Sequence, residues 1–179
     1  RGPIKIGHGL ASYFQSYGRI TWLHDTSQAW VGVELDGSVV VRTGVPDLGA
    51  GQVNSVCQIA AEVLGVPLEQ VTIYSTDSAI TPLAGTSTAT RQLYMSGNAV
   101  YQAASAVRKM LLERASHFFE EVPEQLDMAD GRVFVRHNPN QSLSLAELAA
   151  MCAADGLPLS NLALFRAPFS DRIDPETGQ

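Results

Sequence analysis

The stretch Trp30-Val31-Gly32-Val33-Glu34-Leu35-Asp36-Gly37-Ser38-Val39-Val40-Val41-Arg42 decides the fold. Two runs rich in valine flank Asp36-Gly37, a pair that tolerates the positive φ of a tight turn, so the stretch predicts a β-hairpin. The period changes immediately downstream. After Gly44-Val45-Pro46-Asp47-Leu48-Gly49-Ala50-Gly51, apolar residues recur at Val53, Val56, Cys57, Ala60, Val63 and Leu64. That three and four spacing belongs to an amphipathic helix, and Gly65 and Pro67 stop it. Val71-Thr72-Ile73-Tyr74 then returns the chain to a β-branched strand.

Working outward, Ile4 to Phe14 and Ile20 to His24 read as strands without a helix period. On the other side a polar loop, Ser75 to Ser87, leads to a second helix that begins near Thr88 to Arg91 and carries Val100, Ala104, Val107 and Leu111 on one face. Gly97 and Asn98 weaken its first part and mark either a close packing contact or a break. Val122-Pro123 ends that run. Asp130-Gly131 turns into a strand, Arg132 to Arg136, and Ser144-Leu145-Ala146-Glu147 is a capping box that starts a helix reaching about Ala154. Leu162 to Ala167 predicts a final strand, and the polar stretch Asp171 to Gln179 reads as a linker. The whole is expected to be a single α+β domain over residues 1–179, with mixed strands and three or four helices and no internal repeat.

Composition narrows the function. Hydrophobic residues make up 45% of the 179 and charged ones 17%, which suits a packed globular fold. Twelve Lys and Arg stand against 18 Asp and Glu, so no concentrated basic surface exists for a phosphate backbone and nucleic acid is excluded as a partner. Cys57 and Cys152 each lie inside an apolar helical pattern and read as buried thiols. No apolar stretch approaches the roughly 20 residues of a membrane span, and Arg1-Gly2-Pro3-Ile4 lacks the regions of a signal peptide, so a cytoplasmic location without membrane contact is expected. His8, His24, His117 and His137 share no metal-ligand spacing. Glu120, Glu121 and Glu124 follow a helix end as a solvated face.

Chemistry concentrates where helices begin. The first amides of a helix lack internal partners and carry the positive end of the dipole, so such starts suit phosphate and other anions. Gly49 and Gly51 precede the first helix and permit close approach to the backbone. Gly85-Thr86-Ser87-Thr88-Ala89-Thr90 sets four hydroxyls around the second, with Arg91 and Gln92 just inside it. A Gly-x-Gly also serves as a plain turn and a Ser or Thr as a plain N-cap, so these motifs leave binding and structural readings open. Gly49-Ala50-Gly51-Gln52-Val53-Asn54 has Asn54 where a dinucleotide fingerprint needs glycine, and no Gly-Lys-Ser/Thr of a P-loop occurs.

These two loops and their flanks carry a resemblance. Asp47-Leu48-Gly49-Ala50-Gly51-Gln52 leading to Gln58-Ile59-Ala60-Ala61-Glu62-Val63-Leu64-Gly65-Val66-Pro67 is similar to a cofactor loop and helix of the molybdenum-binding large subunit of xanthine dehydrogenase and aldehyde oxidase type hydroxylases. Thr81-Pro82 through Thr86-Ser87-Thr88-Ala89-Thr90 and Ser96-Gly97-Asn98-Ala99-Val100-Tyr101 resemble the family's second cofactor loop and helix, in the same order. The resemblance implies part of a molybdenum-cofactor-binding domain. It puts Leu48, Gly49, Ala50 and Gly51 near the molybdenum and pterin. Thr88, Ala89, Thr90, Arg91 and Gln92 come around the pterin and its phosphate. The implied cofactor is molybdopterin, with phosphate or in its cytosine dinucleotide form, and the protein itself supplies no metal ligand. FAD and [2Fe-2S] clusters belong to partner subunits or domains.

Two departures qualify that picture. Many members have Gln at the middle of the first loop where this chain has Ala50, and Gln52, two positions on, is expected to point elsewhere on the new helix. The family's catalytic glutamate lies in a Gly-x-Gly-Glu segment that these 179 residues do not contain, so no catalytic residue is assigned. The expected reading is a piece of a longer subunit whose partners are the rest of that subunit, iron-sulfur and flavin subunits, and a small-molecule substrate. The parent would hydroxylate a purine, aldehyde or other heterocycle with water as oxygen source, and the piece alone would be inactive. The rival reading is a non-catalytic phosphate-binding or assembly module.

Overall fold

In the computed structural model, which describes residues 2, 5, 7–12, 25–88, 90–168 and 176, the Asp36-Gly37 hairpin seeds a four-stranded sheet. Its arms are β1 (Thr26–Val33) and β2 (Val39–Thr43), antiparallel with Val33 opposite Val39. The turn is longer than a two-residue one. The Glu34 amide donates to the Ser38 carbonyl at 2.8 Å, the Gly37 amide to the Glu34 carbonyl at 2.9 Å, and Gly37 alone of the pair takes a positive φ, 86°. Asp36 instead accepts from the Ser38 hydroxyl and amide, which hold its carboxyl below the usual range.

From β2 the chain enters α1 (Gln52–Leu64) and returns as β3 (Val71–Ser75), which runs parallel to β2. The amphipathic helix is therefore the crossover that a parallel pair requires. A late strand, β7 (Ser160–Arg166), closes the other side of β1, giving the order β3-β2-β1-β7. Between them lies α2 (Arg91–Phe119), whose 29 residues extend about 43 Å at 1.5 Å per residue. Beyond it β4 (Leu126–Ala129), β5 (Arg132–Val135) and β6 (Asn138–Ser144) form a second antiparallel sheet, followed by α3 (Leu145–Ala154). The α+β class with mixed strands and, among the described residues, three α-helices agrees with expectation.

One face of the large sheet is covered by both long helices. Ala29, Val31, Val33, Val39 and Val41 meet Val56, Ala60 and Leu64 of α1 and the alanine-rich stripe Ala99, Ala103 and Ala104 of α2. Gly97 belongs to this contact and does not break the helix, since a Cβ there would lie 3.0 Å from the Ile59 Cδ1. The same core runs on through Val107 and Leu111 to Leu126, Val133, Leu145 and Leu148, so α2 joins the two sheets.

A tight junction ties them as well. Gly65 caps α1 at φ 62°, its carbonyl accepts from the Gly131 amide at 2.8 Å, and a Cβ on it would fall 2.3 Å from the Met128 carbonyl oxygen. Nearby, Arg108 of α2 donates to the Val63 carbonyl at 2.8 Å and pairs with Asp127, whose other oxygen takes Arg136 at 3.1 Å.

Two local differences from the sequence reading have physical causes. Residues 7–12 of the expected strand Ile4 to Phe14 are irregular and exposed, because Gly7 and Gly9 offer no side chain to bury and Leu10 is fully exposed. The expected strand at Ile20 to His24, and all but residue 176 of the expected linker, lie outside the described residues. Conversely β6 escaped notice, since Asn138-Pro139-Asn140-Gln141 is a polar, exposed edge without apolar alternation. Cys57 and Cys152 are buried free thiols, and burial pushes both above the usual thiol range. No helix among the described residues is long and apolar enough to cross a membrane.

Two outcomes follow. Gly65→Ala combines left-handed strain with a backbone clash and should lower stability by at least about 2 kcal/mol in urea unfolding. An unchanged midpoint would show that the junction yields without cost. At the start of α3 the capping box is complete: the Ser144 hydroxyl and amide donate to the Glu147 carboxylate, while the Glu147 amide donates to the Ser144 hydroxyl. Those donors hold the Glu147 carboxyl below the usual glutamate range. Its contribution is thus present above that range and is lost as pH falls through it. Ser144→Ala should lower the urea midpoint at pH 7, and the gap to wild type should narrow on acidification.

Candidate functional site

Both glycine- and threonine-bearing loops leave from the carboxyl ends of the parallel pair β2 and β3, the edge at which crossover units form ligand crevices. Because α1 and α2 pack side by side on one sheet face, their first turns converge. Ala50, Gln52 and Ser55 on one side and Thr90, Leu93 and Tyr94 on the other line a cleft of about 440 Å³.

The first loop is bent by Gly49 and Gly51, at φ 101° and 73°, and nothing lies within 4 Å of where a Cβ on either would stand. Leu48 and Ala50 are exposed. The loop's amides are not all available, however. One oxygen of Asp47 accepts from the Gly49 amide at 2.8 Å and the Gly51 amide at 3.2 Å. The start of α1 has no side-chain cap, and the carboxylate of Asp47 sits beside it. An anionic ligand group is therefore disfavoured at the start of α1. Gln52 does not point away from the loop. It lines the cleft with Ala50, and its Oε1 is buried without a hydrogen-bond partner among the described residues.

The second loop divides into two faces. Thr86, Thr88 and Thr90 are exposed, and none of their hydroxyls bonds to another described residue. Ser87 faces the other way and donates to the Gln92 Oε1 at 3.1 Å. Gln92 is 1% exposed, and its Nε2 donates to the Ser96 hydroxyl at 2.8 Å and to the Ala84 carbonyl at 3.5 Å. Ser96 in turn shares a 2.7 Å hydrogen bond with Ser27 of β1. Arg91 turns beneath the loop as well. Its guanidinium pairs with Asp25 at 3.0 Å and donates to the carbonyls of Thr86 at 2.8 Å, Thr26 at 3.1 Å and Ala84 at 3.4 Å.

Of the residues singled out from sequence, Leu48 to Gly51, Thr88 and Thr90 thus lie at or beside the cleft, Arg91 and Gln92 lie behind its second wall, and Ala89 is outside the described residues. Leu93 and Tyr94 were missed. They stand three and four residues after Thr90, the spacing of one helix face, so reading that face forward from the loop would have found them. Ser27, Asp25 and Ser96 carried no local signal.

All 179 residues match the family model of a molybdopterin cofactor-binding domain. The chain is 35% identical over 149 residues to the aldehyde oxidoreductase molybdenum-binding subunit PaoC of Escherichia coli (strain K12), covering 83% of this chain and 19% of that protein. It is 29% identical to the nicotine 6-hydroxylase large subunit of Paenarthrobacter nicotinovorans, over 80% of this chain and 19% of that one. Quinoline 2-oxidoreductase from Pseudomonas putida 86 has a similar structure, with a TM-score of 0.72 at 29% identity, covering 79% of this chain and 19% of that chain. The chain spans about a fifth of the length of these relatives.

Asp47 offers a direct test of the first loop. Asp47→Ala should speed amide exchange at Gly49 and Gly51 by about fivefold or more, the scale of one lost hydrogen bond, while the overall unfolding midpoint barely moves. Unchanged exchange at both glycines would mean that the carboxylate does not hold the loop.

Proposed function

The chain belongs to the molybdopterin cofactor-binding domain family, and on that premise we propose that its two loops form part of the cofactor site in the large subunit of a molybdenum hydroxylase. The observation that carries this is the convergence of two helix starts on one cleft, with threonine hydroxyls at its second wall that have no partner among the described residues. The residues present fit the group. A flat pterin can approach the backbone where Gly49 and Gly51 carry no Cβ, with Leu48 and Ala50 beside it, while the orphan Gln52 Oε1 offers an acceptor to ring N–H donors. Leu93 and Tyr94, both partly exposed apolar side chains, suit a ring face.

The charged part of the cofactor belongs on the other wall. Asp47 repels a phosphate from the start of α1, whereas Thr88 and Thr90 stand at the start of α2, where hydroxyl donors meet the positive end of a long helix, and the resemblance adds Ala89 to them. The phosphate is that of molybdopterin itself or of its cytosine dinucleotide form. When bound, the cofactor supplies the two-electron oxidation, and this chain's residues bind and orient it without contributing a base.

At the level of the whole subunit, the reaction is hydroxylation of a purine, aldehyde or other heterocycle with water as oxygen source, and electrons leave through [2Fe-2S] clusters to FAD on partner subunits or domains. The relatives' names support that range, spanning an aldehyde oxidoreductase, a nicotine hydroxylase and a quinoline oxidoreductase. On this reading the 179 residues are one domain of that subunit in the cytoplasm, with 171–179 as a linker, and the isolated chain does not turn over hypoxanthine or benzaldehyde.

Titration of the chain with molybdopterin released from a molybdoenzyme, followed by pterin fluorescence, tests the site. Thr88→Val and Thr90→Val should each weaken binding by about tenfold, the scale of a lost hydrogen bond to a charged group. Absence of saturable binding, or equal binding by both variants, would overturn the assignment.

A further inference from the structure

We infer that Arg91 and Gln92 are positioning residues, joined with Ser27 and Ser96 in a polar strap that sets the shape of residues 84–88. The consequence for a ligand rests on the function proposed above, but the strap itself does not. Residues 84–88 have no regular secondary structure, so their conformation is decided by what their carbonyls and side chains meet. The Ala84 and Thr86 carbonyls both accept from Arg91, the Ala84 carbonyl also faces Gln92, and the Ser87 hydroxyl donates to Gln92. These bonds of the two side chains are made inside the protein, and Gln92 is almost wholly buried.

The strap reaches across the fold. Gln92 passes to Ser96 one helical turn on, and Ser96 to Ser27, both fully buried, while Arg91 ties the loop to Asp25 and the Thr26 carbonyl just before and at the start of β1. Loop, helix and sheet edge are thus fastened by a buried network in which each member satisfies another, the kind of arrangement that selects one conformation because any alternative leaves polar groups unpaired. A planar guanidinium can bridge three segments at once, which an ammonium cannot reproduce. The result is a loop whose inner groups are all spent on its own support and whose Thr86 and Thr88 hydroxyls are left exposed. A ligand meeting that wall meets a preformed surface.

Two amides report whether the loop is docked. The Gln28 amide donates to the Leu83 carbonyl at 2.8 Å and the Gly44 amide to the Pro82 carbonyl at 3.0 Å, whereas Val41 lies between two paired strands in the sheet interior. Residue-resolved hydrogen exchange on the full 179-residue chain, without cofactor, should therefore show Gln92→Met and Arg91→Lys raising the ratio of exchange at Gln28 and Gly44 to that at Val41 by about tenfold. Leu111→Ala, a core change in the same helix, should speed exchange at Val41 without raising the ratio. Ser87→Ala removes only the loop's own hydroxyl and should raise the ratio by about threefold, which keeps the test alive if the buried variants do not fold. A ratio unchanged in Ser87→Ala and in every folded variant at 91 or 92 would overturn the strap. Because no cofactor is present, failure of molybdopterin binding would leave this result standing.

Discussion

Everything at the cleft depends on two helices sharing one face of one sheet. Val56, Ala60 and Leu64 of α1 and the alanine stripe of α2 cover the same valines of β1 and β2. Each fully buried valine or leucine contributes about 1.5–3 kcal/mol relative to exposure, and small residues on α2 let the long helix lie close. Once α1 is the crossover between parallel strands and α2 follows β3, both helices must start at the same edge of the sheet. The loops meet there because the core places them there.

That convergence would be symmetrical if helix dipoles were the whole story, and it is not. Asp47 spends a carboxylate on the amides of Gly49 and Gly51, so the first loop is shaped by a negative charge at the start of α1. The second loop is shaped from beneath by Arg91, whose guanidinium is itself paired with Asp25, and by neutral groups. The two walls of the cleft therefore differ in how charge is arranged: a carboxylate bonded to the loop amides at the first, a salt-bridged guanidinium behind the second.

The long α2 carries a second burden. Its early part sets the loop, its middle packs the large sheet, and its late part meets the small sheet and α3. Arg108 and the Gly65 junction fasten that far end, so the small sheet acts as a foot for the helix whose start builds the cleft. Loss of order at the junction would reach the cleft through α2 and through α1, which Gly65 caps.

Much of this was legible in the sequence, in proportion to how local the cause is. The Asp36-Gly37 hairpin, the period of α1 with its Gly65 stop, and the Ser144-Glu147 capping box are each decided by contacts within a few residues, and the resemblance at the two loops pointed to the family. By contrast β6 is polar, and only pairing with β5 makes it a strand. Nothing near Ser27 foretells Ser96, 69 residues away, and nothing near Asp25 foretells Arg91, 66 residues away. Sequence alone determined where helices start, where turns fall and which residue types surround those starts, because backbone conformation and side-chain period are short-range properties. Only the tertiary structure decided which of those residues are exposed and which face inward, because that choice is made by partners that packing brings together from distant parts of the chain.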